Sequence, residues 1–476
     1  MKIQTQQFRD LSEGIIQKID SSISVPNSIY LAVNLVFDKY LGRAVVRDDT
    51  TLLGAQVQDN KSCLGIFQHI TTSGISVPLA TFNAADDATS VISKYTGSSW
   101  SNTKTGLTKD LKIHFATFLD TTIYMNGTDA PNTTTDGASW VSTAGNLDVG
   151  NAPTGKYVIE WKDKLYVAGV SGNLDRLYYS SVPTAGEISW TTGNGYIDIE
   201  PEEGAGAITG LAKVPGYLII FKERSIKRWD GSSTYPESMV DIGCLSQEGI
   251  VRAGQSVFYF NQKGIYETTG GYPRKISRRI QDIIDAIPST YYSSVSGWGD
   301  GENVYFSIGD ITLDGLTLNN CVIAYRINEK TWTLFTLTTE SLAWTKYVDS
   351  NGTEEIIFGD DDGNVFRFLQ GDTDNSSNLN WIIQWNTREF GSRGRIKDIS
   401  EAIVYGKSIR NGKLFCRINK GSDFKLVGPI SKDIQKITKD LSGNYFDFRM
   451  QGSSQKGVEI IGIDFNGINI NLSNEQ

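Results

Sequence analysis

Six apolar segments recur along the middle of this chain, each followed by a polar or glycine-containing turn and another short strand. They lie at residues 122–127, 164–169, 217–221, 257–260, 304–309 and 355–359. Taking Tyr124, Tyr166, Ile219, Phe258, Tyr305 and Ile357 as markers, the intervals are 42, 53, 39, 47 and 52 residues. A seventh segment begins near Phe67. Self-similarity at about 40–50 residues, built from strands, is the mark of propeller blades. A single blade cannot bury both faces of its sheet, so only stacking in a ring stabilises it. The uneven intervals and the absence of a repeated Trp-Asp pair exclude a regular WD40 array. Small residues followed by tryptophan also recur, at Trp100, Trp140, Trp190 and Trp332. Their repetition fits packing between blades better than a ligand platform.

The expectation is therefore an all-β chain containing an irregular β-propeller of about six to seven blades over residues 46–375. An N-terminal arm occupies residues 1–45, with a short helix from Ser12 to Ile19 capped by Ser12 and an extended run to Leu41. One helix interrupts the propeller at residues 277–287, where Ile280, Ile283, Ile284 and Ile287 form a stripe at helical spacing and Pro288 ends it. Beyond a polar stretch at 371–378, alternating strands at 402–405, 413–418, 445–450 and 458–465 predict a separate β-sandwich over 376–476. Its charge leans basic through Arg393, Arg395, Lys397, Lys407, Arg410 and Lys413.

Composition agrees with strands and turns: 48 glycines, 21 tyrosines and 20 phenylalanines against 4 methionines. The net charge of −9 disfavours tight binding to a phosphate backbone, which requires clustered cations. Cys63, Cys244, Cys321 and Cys416 are too widely spaced for a zinc motif and read as reduced structural thiols. The polar start MKIQTQQFRD and the lack of a long apolar run predict a chain folded in a cytoplasm without membrane insertion.

Catalytic signatures are missing. With only His69 and His114 and no Gly-x-Ser-x-Gly elbow, neither a serine triad nor a histidine metal site is indicated. The acidic run at 359–364 resembles a calcium loop, but Val365 stands where an EF-hand needs glycine, and the run reads as a hairpin turn. Gly193, Gly195, Gly204 and Gly206 belong to turns, lacking the strand-to-helix setting of a phosphate loop. Glu187, Glu200, Glu202, Glu203 and Glu248 are candidate glycosidase carboxylates, and no spacing selects a pair. The stretch 171–190 ends like a sialidase Asp-box. Counting back from Trp190, however, Ala185 stands where the box needs aspartate and Glu187 where it needs glycine. No catalytic, cofactor or metal residue is assigned.

From about Lys156 to Phe368 the order of motifs is distinctive. Arg176-Leu-Tyr-Tyr-Ser-Ser181 with Trp190 precedes Leu218-Ile-Ile-Phe-Lys-Glu-Arg-Ser225, then Ile242-Gly-Cys-Leu-Ser-Gln247, Phe260-Asn-Gln-Lys-Gly-Ile-Tyr266 and Gly270-Gly-Tyr-Pro-Arg-Lys-Ile-Ser277. This order resembles the tail hub or nozzle proteins of short-tailed bacteriophages, the packaged-DNA stabilisation proteins, over about half the chain. The resemblance implies a non-enzymatic virion protein assembled as a homo-oligomeric ring, a hexamer, below the portal and its adaptor. Its partners would be further copies, adaptor and tail proteins, and double-stranded DNA that passes without sequence-specific binding. In that reading Arg274, Lys275, Arg278 and Arg279 are candidates for contacts with a neighbouring subunit, the alternative being a solvated helix start. A glycan-binding or sugar-cleaving propeller, such as a receptor-binding tail component, is the competing function.

Overall fold

Each marker segment forms the second strand of a small antiparallel sheet. In the computed structural model, which describes all residues except 1–3, 18–26, 144, 200–205, 350, 372–377, 391–394, 455–456 and 471–476, seven such blades follow one another, six as separate small sheets and the sixth as the end of a ten-stranded one. Blades 1 to 7 span residues 63–108, 114–134, 157–198, 208–240, 250–275, 296–336 and 343–368. Tyr124, Tyr166, Ile219, Phe258, Tyr305 and Ile357 occupy the second strands of blades 2 to 7, and Phe67 lies in the innermost strand of blade 1. Second strands are flanked on both edges and packed on both faces, which explains their continuous apolar character.

The hydrophobic cores lie between blades. Leu79 and Ile92 of blade 1 meet Tyr124 of blade 2, and Ile123 of blade 2 meets Val158 and Leu165 of blade 3. Trp161 of blade 3 packs with Leu218 and Trp229 of blade 4, and Phe221 of blade 4 with Tyr259 of blade 5. Phe258 and Phe306 join blades 5 and 6, and Tyr305 and Phe368 join blades 6 and 7. Ile357 of blade 7 packs with Phe82 of blade 1, closing the ring. The closure is also a strand exchange. Thr51–Leu52 supplies the outermost strand of blade 7 through Phe366↔Leu52 and Arg367↔Thr51, so an early segment fastens the last blade.

The N-terminal arm is a set of strands. The helix expected from Ser12 does not form in the described part: a turn leads to Gly14–Ile15, which pairs in parallel with Ser28–Val33. Residues 18 and 19 lie outside the described residues. Gly14 has φ of 64°, a left-handed conformation suited to glycine and incompatible with a continuous helix. Gln4–Phe8 pairs with Glu459–Ile470, where the Arg9 guanidinium holds Asp464 and stacks 4.0 Å from the Tyr405 ring.

These arm strands build the C-terminal body together with residues beyond 378. One sheet orders Ile434–Gly443, Lys397–Lys407, Glu459–Ile470, Arg43–Val46 and Leu35–Asp38. The other runs from blade 6 through Ser28–Val33 to Leu379–Trp385, Phe446–Ser454, Gly412–Ile418 and Lys425–Ile430. The two face each other across Phe448 and Phe465, whose ring centroids lie 4.1 Å apart. The C-terminal strands are thus joined to the propeller rather than set apart from it. The polar stretch proposed as a linker lies largely outside the described residues.

The interrupting helix is shorter than its stripe suggests. A 3-10 turn, Ser277–Ile280, leads into one α-helical turn, Gln281–Asp285. All four stripe isoleucines are buried. Ser277 does not cap it; its Oγ accepts the Ile265 N–H at 2.9 Å instead. The arm reaches this turn through Gln17, whose Oε1 accepts the Ile283 N–H. Among the described residues no helix is long and apolar enough to cross a membrane.

Candidate functional site

The innermost strands of all seven blades converge on an axial cavity of about 320 Å³. Phe67, Phe115, Tyr157, Lys213, Arg252, Trp298 and Trp344 line it, one from each blade in ring order. Phe67 and Phe115 stack at 5.4 Å. Lys213 is held by Glu160, whereas Arg252 is exposed.

Two residues separately weighed for chemistry meet at this axis. His114 starts the innermost strand of blade 2, and Glu248 lies just before that of blade 5, on the far side of the ring. His114 Nε2 is 3.0 Å from Glu248 Oε1, and Nδ1 is 2.8 Å from the Lys156 carbonyl oxygen. Both ring nitrogens thus lie within hydrogen-bond distance of an oxygen, one of a carbonyl and one of a carboxylate. Ser246 Oγ donates to Glu248 Oε2 at 2.7 Å. Burial by itself would push the Glu248 carboxyl up. The charge and hydrogen bond of His114, with help from Lys112 and Ser246, outweigh it and hold the group well below the usual carboxylate range. Next to it, Gln247 Oε1 accepts the Leu211 N–H of blade 4 at 2.7 Å. This loop ties blades 2, 4 and 5 together at the axis.

Both His114 nitrogens have an oxygen partner, and the Ser246 hydroxyl points at Glu248 rather than at the imidazole. Because the Glu248 pKa is depressed on folding, its stabilising contribution is complete above its ordinary value of 4.5 and is lost as the pH falls towards the lower folded value. Glu248→Gln is expected to destabilise the chain by roughly 1–3 kcal/mol at neutral pH. That difference should shrink as urea titrations are repeated at progressively lower pH below 4.5. A constant gap would show that the charge is not what the pair contributes.

The remaining candidates do not assemble. Glu187 is exposed in a tight turn, and Glu200, Glu202 and Glu203 lie outside the described residues, as does Gly204. His69 is buried between Thr122 Oγ1 (2.7 Å) and the Thr135 carbonyl (3.0 Å), and burial pushes its pKa down. The Asp360–Asp362 run is the hairpin turn between Glu354–Gly359 and Val365–Phe368. Asp360 is turned inwards, with its oxygens accepting from the Asp362 and Asn364 N–H groups, Asn364 Nδ2 and Thr339 Oγ1. All four cysteines are free and buried, and burial pushes each thiol up to about 12.

The proposed interface cations are largely engaged within the chain. Arg274 pairs with Glu267 at 2.8 Å, Lys275 donates to Gln281 Oε1 at 2.6 Å, and Arg279 reaches Glu13 of the arm at 3.1 Å. Arg278 is exposed. In the C-terminal basic group, Lys397 is fully buried and donates to the Asn444 carbonyl, Lys407 pairs with Glu459, and Arg393 lies outside the described residues.

A larger polar constellation had no signal in the sequence. Strands Asn303–Leu313 and Leu316–Arg326 extend beyond blade 6 as a long hairpin that bends at Gly309, where a Cβ would lie 2.3 Å from the Tyr291 ring. At its tip Asp314 accepts from Arg417 Nη1 (2.6 Å) and Gln384 Nε2 (2.7 Å), and its carbonyl from Arg449 Nη2 (3.1 Å). Arg417 also holds Asp447 at 2.8 Å. Arg449 and Arg417 both stack on Phe424, at 3.8 and 4.6 Å.

The fold and axis define a seven-bladed β-propeller joined to a two-sheet C-terminal body. No family model matches the chain, and no curated protein matches it. Solved structures similar to it include YCF48 from Cyanidioschyzon merolae, at 9% identity and TM-score 0.43 over 67% of this chain and 98% of that one. The AfRom2 CNH domain aligns at 8% identity and TM-score 0.40 over 67% and 99% of the two chains. The extracellular domain of the one-component system BT4673 from B. thetaiotaomicron aligns at 9% identity and TM-score 0.42, over 95% of this chain and 63% of that one.

Proposed function

We propose that this chain is a structural subunit of a bacteriophage tail, a hub or nozzle that acts by assembly rather than catalysis. Copies form a ring, a hexamer, beneath the portal and adaptor of the virion. The ring continues the channel through which double-stranded DNA leaves and helps retain it beforehand. The ordered motifs behind this reading run consecutively through blades 3 to 5 and their connections, as parts of the scaffold.

The observation that carries the mechanism is the closed axis. A cavity of about 320 Å³ crossed by the His114–Glu248 pair cannot pass a duplex whose major groove alone is about 12 Å wide. A conduit made from this propeller therefore runs between copies, with each blade ring serving as a solid wall. A predominantly acidic wall suits passage, since few phosphate contacts form to hold the DNA. Electron microscopy of the purified chain should show closed rings of six with an open lumen, and antibody labelling should place them below the portal in virions. Monomers under all conditions, or label at a receptor-binding tip, would overturn the reading.

A further inference from the structure

The ring order of the axial side chains divides the cavity wall in two. Blades 6, 7, 1, 2 and 3, five in succession, each present an aromatic ring, and blades 4 and 5 complete the circle with Lys213 and Arg252. An aromatic arc therefore faces a cationic one across about 320 Å³, near the lower limit of about 300 Å³ at which ligand pockets begin. Phe67, Phe115, Tyr157 and Trp298 are only half-buried, so ring surface lines the cavity instead of filling it. The planes of Phe67 and Phe115 lie 19° apart, which makes that side flat.

The charges at the axis are settled within the chain, with one exception. Glu248 accepts from Ser246 and faces His114, and Glu160 holds Lys213, whose Nζ also donates to the Glu160 carbonyl at 3.0 Å. Arg252 has neither a carboxylate partner nor a side-chain hydrogen bond among the described residues. Two more donors on the cavity wall are unclaimed. Trp298 Nε1–H and the Tyr157 hydroxyl have no hydrogen-bond partner among the described residues. Burial, helped by the Glu248 charge, pushes the Tyr157 phenol up, so it remains an O–H donor.

We infer that the axial cavity binds a small carboxylate with a flat apolar body, its anionic group held by Arg252 and its rings laid against the aromatic arc. Three donors without an acceptor call for an acceptor-rich ligand, and a guanidinium takes a carboxylate through two parallel N–H···O bonds. Aromatic faces add selectivity for a planar body, which stacks where a puckered one cannot. A cationic ligand would meet Arg252 and find no free carboxylate. A neutral sugar would leave Arg252 without a counter-charge. A dianionic phosphate would bring surplus negative charge beside Glu160 and Glu248, with Lys213 already engaged. The site is complete within one copy, so it neither requires nor opposes assembly into a ring.

The test titrates the full chain with 2-naphthoate, followed by calorimetry and by saturation-transfer NMR. The neutral isostere 2-naphthalenemethanol and the puckered cyclohexanecarboxylate serve as comparison compounds. One 2-naphthoate per chain is expected, with both comparison compounds at least about tenfold weaker. Arg252→Gln, at an exposed position, should keep the wild-type melting temperature and lose 2-naphthoate affinity by about tenfold, down to that of the alcohol. Arg252→Lys keeps the charge without the fork and should fall between the two. Phe115→Leu, on the far side of the ring from Arg252, should weaken 2-naphthoate and leave cyclohexanecarboxylate unchanged, a split that a merely structural role would not produce. No binding of 2-naphthoate at millimolar concentration by either method would overturn the inference. So would equal affinity for the alcohol, or an Arg252→Gln chain that binds as wild type does.

Discussion

Asp314→Ala is expected to lower the unfolding free energy of the full chain by about 3–5 kcal/mol, the usual cost of removing one partner from a buried ionic network. Asp314 sits at the tip of the long blade 6 hairpin, and its partners Arg417, Arg449 and Gln384 belong to the C-terminal body. The side chains of Asp314 and Arg417 are each 17% exposed, that of Arg449 7% and that of Asp447 3%. Removing the Asp314 carboxylate leaves Gln384 Nε2 without its acceptor and Arg417 with Asp447 alone. Because Arg417 keeps that partner, the lower half of the range is expected. Asp314 has φ of 48°, which Asn tolerates and Ala does not. Asp314→Asn therefore separates the charge from the backbone and should cost roughly half as much. A double-mutant cycle with Arg417→Met should show a coupling of about 0.5–3 kcal/mol. Because the network joins two parts of the chain, Asp314→Ala should also split urea unfolding into two transitions. A single unchanged transition, with a coupling near zero, would mean that the hairpin tip only rests on the body.

What was legible in the sequence follows from where each strand sits. Second strands of blades are apolar on both faces, so Tyr166, Ile219, Phe258 and their counterparts marked the repeat without any tertiary information. Blade 1 was hardest to see because its second strand, Ser76–Asn83, contains Pro78 and begins at a half-buried end. The long intervals also have local causes. Within blade 3 the chain spans 180–194 before the last strand, Gly195–Asp198, and blade 6 carries the extended hairpin. The arm was misread because Ser12 reads as an N-cap ahead of Ile15 and Ile16. Their burial comes instead from parallel pairing with Ser28–Val33, a long-range contact that no local pattern reports. The same limit applies to the axis. His114 and Glu248 lie 134 residues apart, and only the ring geometry brings blades 2 and 5 face to face. Asp314, Arg417 and Arg449 are equally separate in sequence, and none stands in a motif.

Trp190→Ala should produce the other large effect, a destabilisation of about 3–5 kcal/mol. The residue ends the stretch that resembles an Asp-box, and its surroundings show what the stretch does instead. Trp190 is 5% exposed and packs with Ile123 and Met125 of blade 2 and with Val158 and Leu165 of blade 3. Its Nε1–H donates to the Leu147 carbonyl at 3.1 Å, and its backbone N–H donates to Asp148 Oδ2 at 2.7 Å. Where an Asp-box would place its aspartate, Ala185 and Gly186 form a tight turn with φ of 54° and 86°, closed by paired hydrogen bonds between Thr184 and Glu187. The turn delivers the chain to the core without a carboxylate. Trp190→Phe keeps most of the apolar contact and leaves the Leu147 carbonyl unpaired, so about 1–3 kcal/mol is expected. A ligand platform predicts the opposite order: near-normal stability in both variants and loss of glycan binding. If Trp190→Ala melts like wild type, the packing role fails and the sugar-directed reading regains its ground. If it unfolds early, this tryptophan belongs to the wall that blades 2 and 3 build together.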